Sequence, residues 1–349
     1  MKKLTSILAA AVSLAACQPA AEKPETQYRN ALPTSETLTI SAPAASDGSG
    51  TTALTTALTT TGAGAGTAIT ATGKSEFAAA SYAFAFGVNS GVAGMLWLIH
   101  SITWWPATSC NDDSCTWGPG SGDNDLNVFK LVVTRTGDRF DYVLSAARKD
   151  TGGTAFLPIV QGYANRGAFA HRGDGQFSVK FDNEALLDHP NYPFAWEQKD
   201  FGTLDVRYDT HGELQNEVVW RNAKNNDVVA PDPSNPPRVD VYFDFNANAR
   251  DLLIAFRTLD AQAKQMTLHT QWQASGEGRA DVWYTDANVA PATYTETECW
   301  AGQSTDPALN YAQTYDSADA AWSSAEAKAT CRGVEGYVTA FPTLPAALP

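Results

Sequence analysis

Charge is scarce in this chain, and basic charge scarcer still. Charged residues make up 18% of the 349 residues and the formal net charge is −14. No Lys/Arg cluster is present to neutralise phosphates, which excludes a nucleic-acid partner, and an anionic bilayer would repel so acidic a body. The five histidines, His100, His171, His189, His211 and His269, show no paired ligand spacing, so no metal site is expected. Also missing are a Gly-x-Ser-x-Gly elbow, a His-Glu-x-x-His pair, a phosphate-cradling loop and a dinucleotide fingerprint, and with them any reason to expect a cofactor. Carboxylates are plentiful. A pair at glycosidase separation stays open, since sequence does not tell it from solubilising surface charge.

Aromatic residues are abundant at 11%, with ten tryptophans, which is ample for a buried core. At the N-terminus, Lys2-Lys3, an apolar run Leu4–Val12 and Leu14-Ala15-Ala16-Cys17 follow one another. This resembles the lipobox of bacterial lipoproteins, whose leader (here 1–16) is cut before the cysteine and whose thiol is acylated. The resemblance implies lipidation at Cys17. Gln18, rather than Asp, after it points by the enterobacterial sorting rule to the outer membrane. Residues 17–75 are rich in Ala, Thr, Pro, Ser and Gly and repeat Thr51-Thr52-Ala53-Leu54 as Thr55-Thr56-Ala57-Leu58. Such a stretch buries too little apolar surface to offset its ordering entropy, so it reads as a disordered tether spanning about 40 Å.

From Phe77 to Ile102 the chain predicts one long helix, with no charged side chain between Glu76 and Asp112. Phe84, Val88, Met95, Leu98, Ile99 and Ile102 recur at helical spacing and are expected to form its core face, with Asn89, Ser90, His100 and Ser101 opposite. Its length and Gly87-x-x-x-Gly91 also fit a transmembrane helix. The three glycines and the polar residues favour a core helix instead. Trp104-Trp105-Pro106 ends it. Asp112, Asp113, Asp123 and Asp125 then lie in a loop read as a solvated acidic turn, though calcium uses carboxylates in this way.

From Asn127 onward the period changes to two. Phe129/Leu131/Val133, Phe140/Tyr142/Leu144, Phe177/Val179/Phe181, Leu204/Val206/Tyr208 and Val239/Val241/Phe243/Phe245 alternate with polar neighbours, as do Leu252/Ile254/Phe256 and Met266/Leu268. About eleven strands joined by short turns predict a mainly β fold. The expected form is a curled antiparallel meander or incomplete barrel around the long helix. The whole of 76–341 is read as a single β-rich domain, with a short helix over Ser317–Ala329 and a frayed 342–349 tail. With Cys17 acylated, Cys110, Cys115, Cys299 and Cys331 are left in an oxidising compartment. Pairing as Cys110–Cys115 and Cys299–Cys331 is favoured over four-thiolate zinc. Of two long connections, 183–200 gathers His189, Tyr192, Phe194 and Trp196, a candidate ligand-contact loop or a cover over the barrel mouth. The other, 222–238, reads as a solvated linker.

The order of landmarks resembles an uncharacterised family of myxobacterial-type outer-membrane lipoproteins. The residues that carry it are the lipobox, a turn at Trp117-Gly118-Pro119, Gly276-x-Gly278-Arg279-Ala280-Asp281-Val282 and Glu298-Cys299-Trp300, with Ala301 standing where an acidic residue is usual. It implies location and architecture, not activity. Three functions follow as expectations. The first is a lipid-anchored, non-catalytic envelope protein that binds an apolar ligand or a partner, or serves as an envelope component. The others are an envelope hydrolase with a carboxylate/His site and a surface adhesion module with an exposed aromatic patch at Tyr192–Trp196.

Overall fold

The computed structural model describes residues 22–41, 76–122, 125–188, 200–224, 237–259, 264–273, 278–285, 293–301 and 308–316. Helices α1 (Pro24–Ala31) and α2 (Ser35–Leu38) precede the long helix α3 (Glu76–Thr103). Strands follow as β1 (Ser109–Cys110), β2 (Ser114–Gly120), β3 (Asn127–Thr136), β4 (Arg139–Arg148), β5 (Leu157–Arg166) and β6 (Gly173–Lys180). A short helix α4 (Phe181–Leu186) leads to β7 (Thr203–Asp209), β8 (Gln215–Lys224), β9 (Arg238–Asn246) and β10 (Asp251–Thr258). The last strands are β11 (Gln265–Trp272), β12 (Gly278–Thr285), β13 (Thr293–Ala301) and β14 (Ala308–Asp316).

Each strand pairs antiparallel with the next, so one 14-stranded sheet runs β1 to β14 in sequence order, and its two edges are not joined among the described residues. Alternation decides the faces. Phe140, Tyr142, Leu144 and Ala146 of β4 are buried while Arg139 and Val143 are exposed. The inward rows continue through Phe177, Val206, Val218, Phe243, Ile254, Leu268 and Val282, in register from β6 to β12. A twisted sheet of this many strands must curl to bury one face. Here α3 touches β2 and β3 near one edge and β11 and β12 near the other, so it lies in the concave side. This is the expected curled meander.

Several elements depart from expectation. Strand β2 was expected as part of the acidic loop, but Cys115 and Trp117 alternate inward and are fully buried. The Trp117-Gly118-Pro119 stretch is a bulge inside β2, where its register against β3 shifts, not a turn. Gly118, at φ 84°, has no room for a Cβ, which would sit 2.4 Å from the Phe129 carbonyl oxygen. Strands β1 and β14 were also unforeseen. Cys110 and Cys115 face each other across β1 and β2 and are joined as a disulfide.

The largest correction concerns the tether. Over 22–41 the chain is ordered against the core: Tyr28, Leu32, Leu38 and Ile40 are buried in the same cluster as α3 and the sheet. Pro24 starts α1 and Glu25 follows in its first turn. Thr34 and Thr37 cap α2 reciprocally. The strap then runs antiparallel to α3. Arg29 donates to the Trp105 carbonyl at 2.9 Å, His100 Nε2 reaches the Pro33 carbonyl at 2.9 Å, and Asn89 bonds both backbone groups of Ile40 at 2.8 Å. From the sheet side, His171 Nδ1 meets the Leu32 carbonyl at 2.8 Å and Arg166 pairs with Glu22 at 2.8 Å.

The inward face of α3 is also rotated from the expected stripe. Phe77, Ala78, Ser81, Ala85, Val92, Leu96, Ile99 and Thr103 are buried, whereas Phe84, Val88, Met95, Leu98 and Ile102 are half-buried flanks. Small residues line the buried side, so the backbone approaches the sheet and Ser81 Oγ lies 2.6 Å from Thr270 Oγ1 on β11.

Candidate functional site

The convex face of the sheet is polar over most strands, with one exception. Val219 (β8), Tyr242 (β9), Leu253 and Ala255 (β10) form a second buried apolar cluster on that side. Around it the pleat places a set of titratable side chains. Glu217 stands directly opposite Asp244 across β8 and β9. Leu253 stands next in line opposite His269 of β11, which in turn faces Asp281 of β12. Asp251, Gln271 and Arg279 share the neighbouring row.

The contacts in this patch are specific. Asp251 Oδ1 accepts from His269 Nε2 at 2.8 Å, and Asp251 Oδ2 accepts from the Gln271 amide at 2.7 Å. Tyr242 donates to Glu217 Oε1 at 3.2 Å. Arg279 clamps Asp281 through Nε to Oδ2 at 2.9 Å and a terminal nitrogen to Oδ1 at 2.7 Å. His269 and Asp281 are both buried, so these are fixed pairs in a poorly solvated setting.

Electrostatics separate the carboxyls. Burial pushes the Asp251 carboxyl up, but the hydrogen bond and charge of His269 and the bond from Gln271 outweigh it. The net position is below the usual carboxylate range. Burial pushes Asp244 up as well, and repulsion from Glu217 and Asp251 adds to this, with His269 only partly opposing. Burial also raises the Tyr242 phenol, reinforced by Asp244 and Glu217. Two carboxyls a strand apart are thus driven in opposite directions, the arrangement by which acid and base roles are divided.

The sign for stability follows from Asp244. A carboxyl raised on folding contributes fully below the ordinary carboxylate range, and that contribution is lost as pH rises through its raised value. Asp244→Asn should therefore raise Tm at pH 7 and lose the advantage below about pH 4. Solvent screening keeps the gain under ~1 kcal/mol. Thermal melts of both proteins across that range check it.

His269 stands in this patch. Cys17, His189, Tyr192, Phe194, Trp196 and Cys331 lie outside the described residues, as do Ser317–Ala329 and 342–349. Cys299 sits in β13 in register with Arg279 and Tyr311. His100 and His171 meet edge to face at 5.5 Å beneath the strap. Burial, together with the charge of His171, holds His100 below the usual histidine range against the opposing bond to Pro33. Among the described residues no group of three His, Cys, Asp or Glu could hold a metal ion.

No family model, curated protein or solved structure matches the chain. Two of the late motifs lie on neighbouring strands, β12 and β13. Arg279 and Asp281 border His269, and Gly278 is in register with Trp300, whose ring would lie 2.2 Å from a Cβ at that glycine. Sequence reading missed Glu217, Tyr242, Asp244 and Asp251 as a group. Their shared face follows only from the register of three strands, although the alternation of Asp240, Tyr242 and Asp244 with Val241, Phe243 and Phe245 carried half of the signal.

Proposed function

We propose that the protein is a lipid-anchored component of a bacterial outer membrane, acylated at Cys17. It works without catalysis, by presenting its surface to a partner rather than by enclosing an apolar ligand. One observation carries this reading: α3 and the 22–41 strap join the inward rows of the sheet in a single continuous apolar cluster. Among the described residues, α3 and the strap occupy the concave side, where a sheet-based carrier would hold its cargo. Growth with a palmitate analogue should label the wild type and not Cys17→Ala. The native mass of the detergent-purified protein should equal the polypeptide plus its acyl groups. Unlabelled wild type overturns the anchor, and an additional retained lipid overturns the filled interior.

A second reading, an envelope hydrolase, draws on the Asp251–His269 pair and the raised Asp244. Neither is bonded to a serine or cysteine in the contacts described above, and a water nucleophile activated by the carboxyl pair would be required. If this reading holds, His269→Ala and Asp244→Asn each abolish turnover of envelope glycans or esters while leaving the fold intact by circular dichroism. Wild-type protein without turnover overturns it.

A further inference from the structure

One face of α3 is covered by the sheet and strap; the other is not. Phe86, Ser90, Gly94 and Trp97 recur at four, eight and eleven residues and so share that outward side, with Gly87 beside them. Phe86 is 62% exposed and Trp97 63% exposed, and Trp104 and Trp105 just beyond the helix are 72% and 74% exposed. A Cβ at Gly87, Gly91 or Gly94 would meet nothing within 4 Å. No charged residue occurs anywhere from 77 to 111. Large aromatic side chains left in water along one uncharged stripe mark a contact surface.

The strap says what covers it. Glu22 is held by Arg166 and by Asn30 at 2.6 Å, and Glu25 accepts from the Ala107 backbone at 3.0 Å. Only five residue steps separate Cys17 from Glu22, a reach of at most about 18 Å. From there α1 adds ~12 Å to Arg29, which is bonded to the Trp105 carbonyl. The anchor is thus confined to the Trp104–Trp105 end of α3, instead of swinging on a tether of 17–75.

We infer that the outward face of α3, from Phe86 through Trp97 to Trp104 and Trp105, docks on the lipid bilayer, so that the body lies against the leaflet holding its acyl chains. The inference rests on acylation of Cys17. Tryptophans at the end of an apolar helix face suit the headgroup boundary, where their rings are apolar and their N–H groups stay wet. With no basic residue on the stripe and a net charge of −14, the attraction is apolar. Zwitterionic lipid therefore serves at least as well as anionic lipid. The helix lies on the membrane and does not cross it, because Leu96 and Ile99 are committed to the sheet.

The test uses protein purified from its own membranes and reconstituted into phosphatidylcholine vesicles with brominated acyl chains. Tryptophan emission should be quenched. The Trp97→Phe/Trp104→Phe/Trp105→Phe variant, with unchanged circular dichroism, should lose quenching by roughly twofold or more, because it removes the exposed tryptophans of that face. Trp97→Phe alone serves if the triple variant misfolds. Equal quenching in variant and wild type, or none in either, overturns the docking face. A dimer in detergent that Gly91→Leu abolishes overturns it too, by assigning the stripe to a second copy. The intact mass of the same sample reads acylation separately. Unmodified Cys17 with quenching intact removes the anchor but leaves the face, whereas acylated Cys17 without quenching removes the face alone.

Discussion

Leu96→Asp should prevent the protein from holding its native state, while Trp97→Asp, one residue on, should leave the melting temperature almost unchanged. Leu96 is fully buried between α3 and the sheet, and Trp97 points away from both. A carboxylate at 96 would be taken out of water with no cationic partner, which costs several kcal/mol, a large part of the ~5–15 kcal/mol that stabilises a typical domain. A surface substitution at 97 falls within about 0.5 kcal/mol. Urea titration followed by far-UV circular dichroism measures both. The pair also separates a half-buried helix from a membrane-spanning one. In a lipid-surrounded helix the charge at 97 would be as harmful to insertion as the charge at 96. Equal damage at both positions would refute the placement of α3.

Tyr28→Ala should cost about 3–5 kcal/mol, the range for truncating a large buried aromatic side chain. The Tyr28 ring packs edge-on against Phe140 at 5.4 Å and its hydroxyl donates to the Asp112 carbonyl at 3.0 Å. One side chain thereby joins the strap, β4 and the β1–β2 turn. If residues 22–41 behaved as the tether their neighbours suggest, the substitution would be silent. Chemical denaturation gives the magnitude. Limited proteolysis within the strap gives the location, since its release exposes Arg29 to trypsin.

The sheet was the legible part of the sequence. Strands such as β4 and β9 bury one face and solvate the other, so their side-chain alternation survives translation into a string of letters. Helix α3 was legible in existence but not in orientation. Its apolarity is nearly uniform round the axis, and the side that meets the sheet is marked by small residues, Ala78, Ser81 and Ala85, rather than by the bulky ones that a stripe search selects. Strand β2 was hidden because Gly118-Pro119-Gly120 reads as a turn, when in fact it is a bulge against β3. The strap was hidden for a different reason. Four apolar side chains, Tyr28, Leu32, Leu38 and Ile40, cannot form a core alone, and their burial depends on partners such as Phe140 and Asn89 far along the chain. The convex patch is non-local too, so Asp244 and His269 carried no visible connection until registers were known.

A sheet whose spatial order copies its sequence order can assemble by zipping. Most hairpins close a short loop, with longer connections at β6–β7 and β8–β9, and no strand has to search for a mate beyond its neighbour in sequence, which favours rapid formation. The helix does not share that advantage. Ser81 finds Thr270 only across 189 residues, so α3, made early in the chain, has no concave surface to fill until the sheet has grown round to β11. Wrapping the sheet round α3 is accordingly the most non-local part of the fold, and until it completes both sides of α3 are open to whatever apolar surface is nearest.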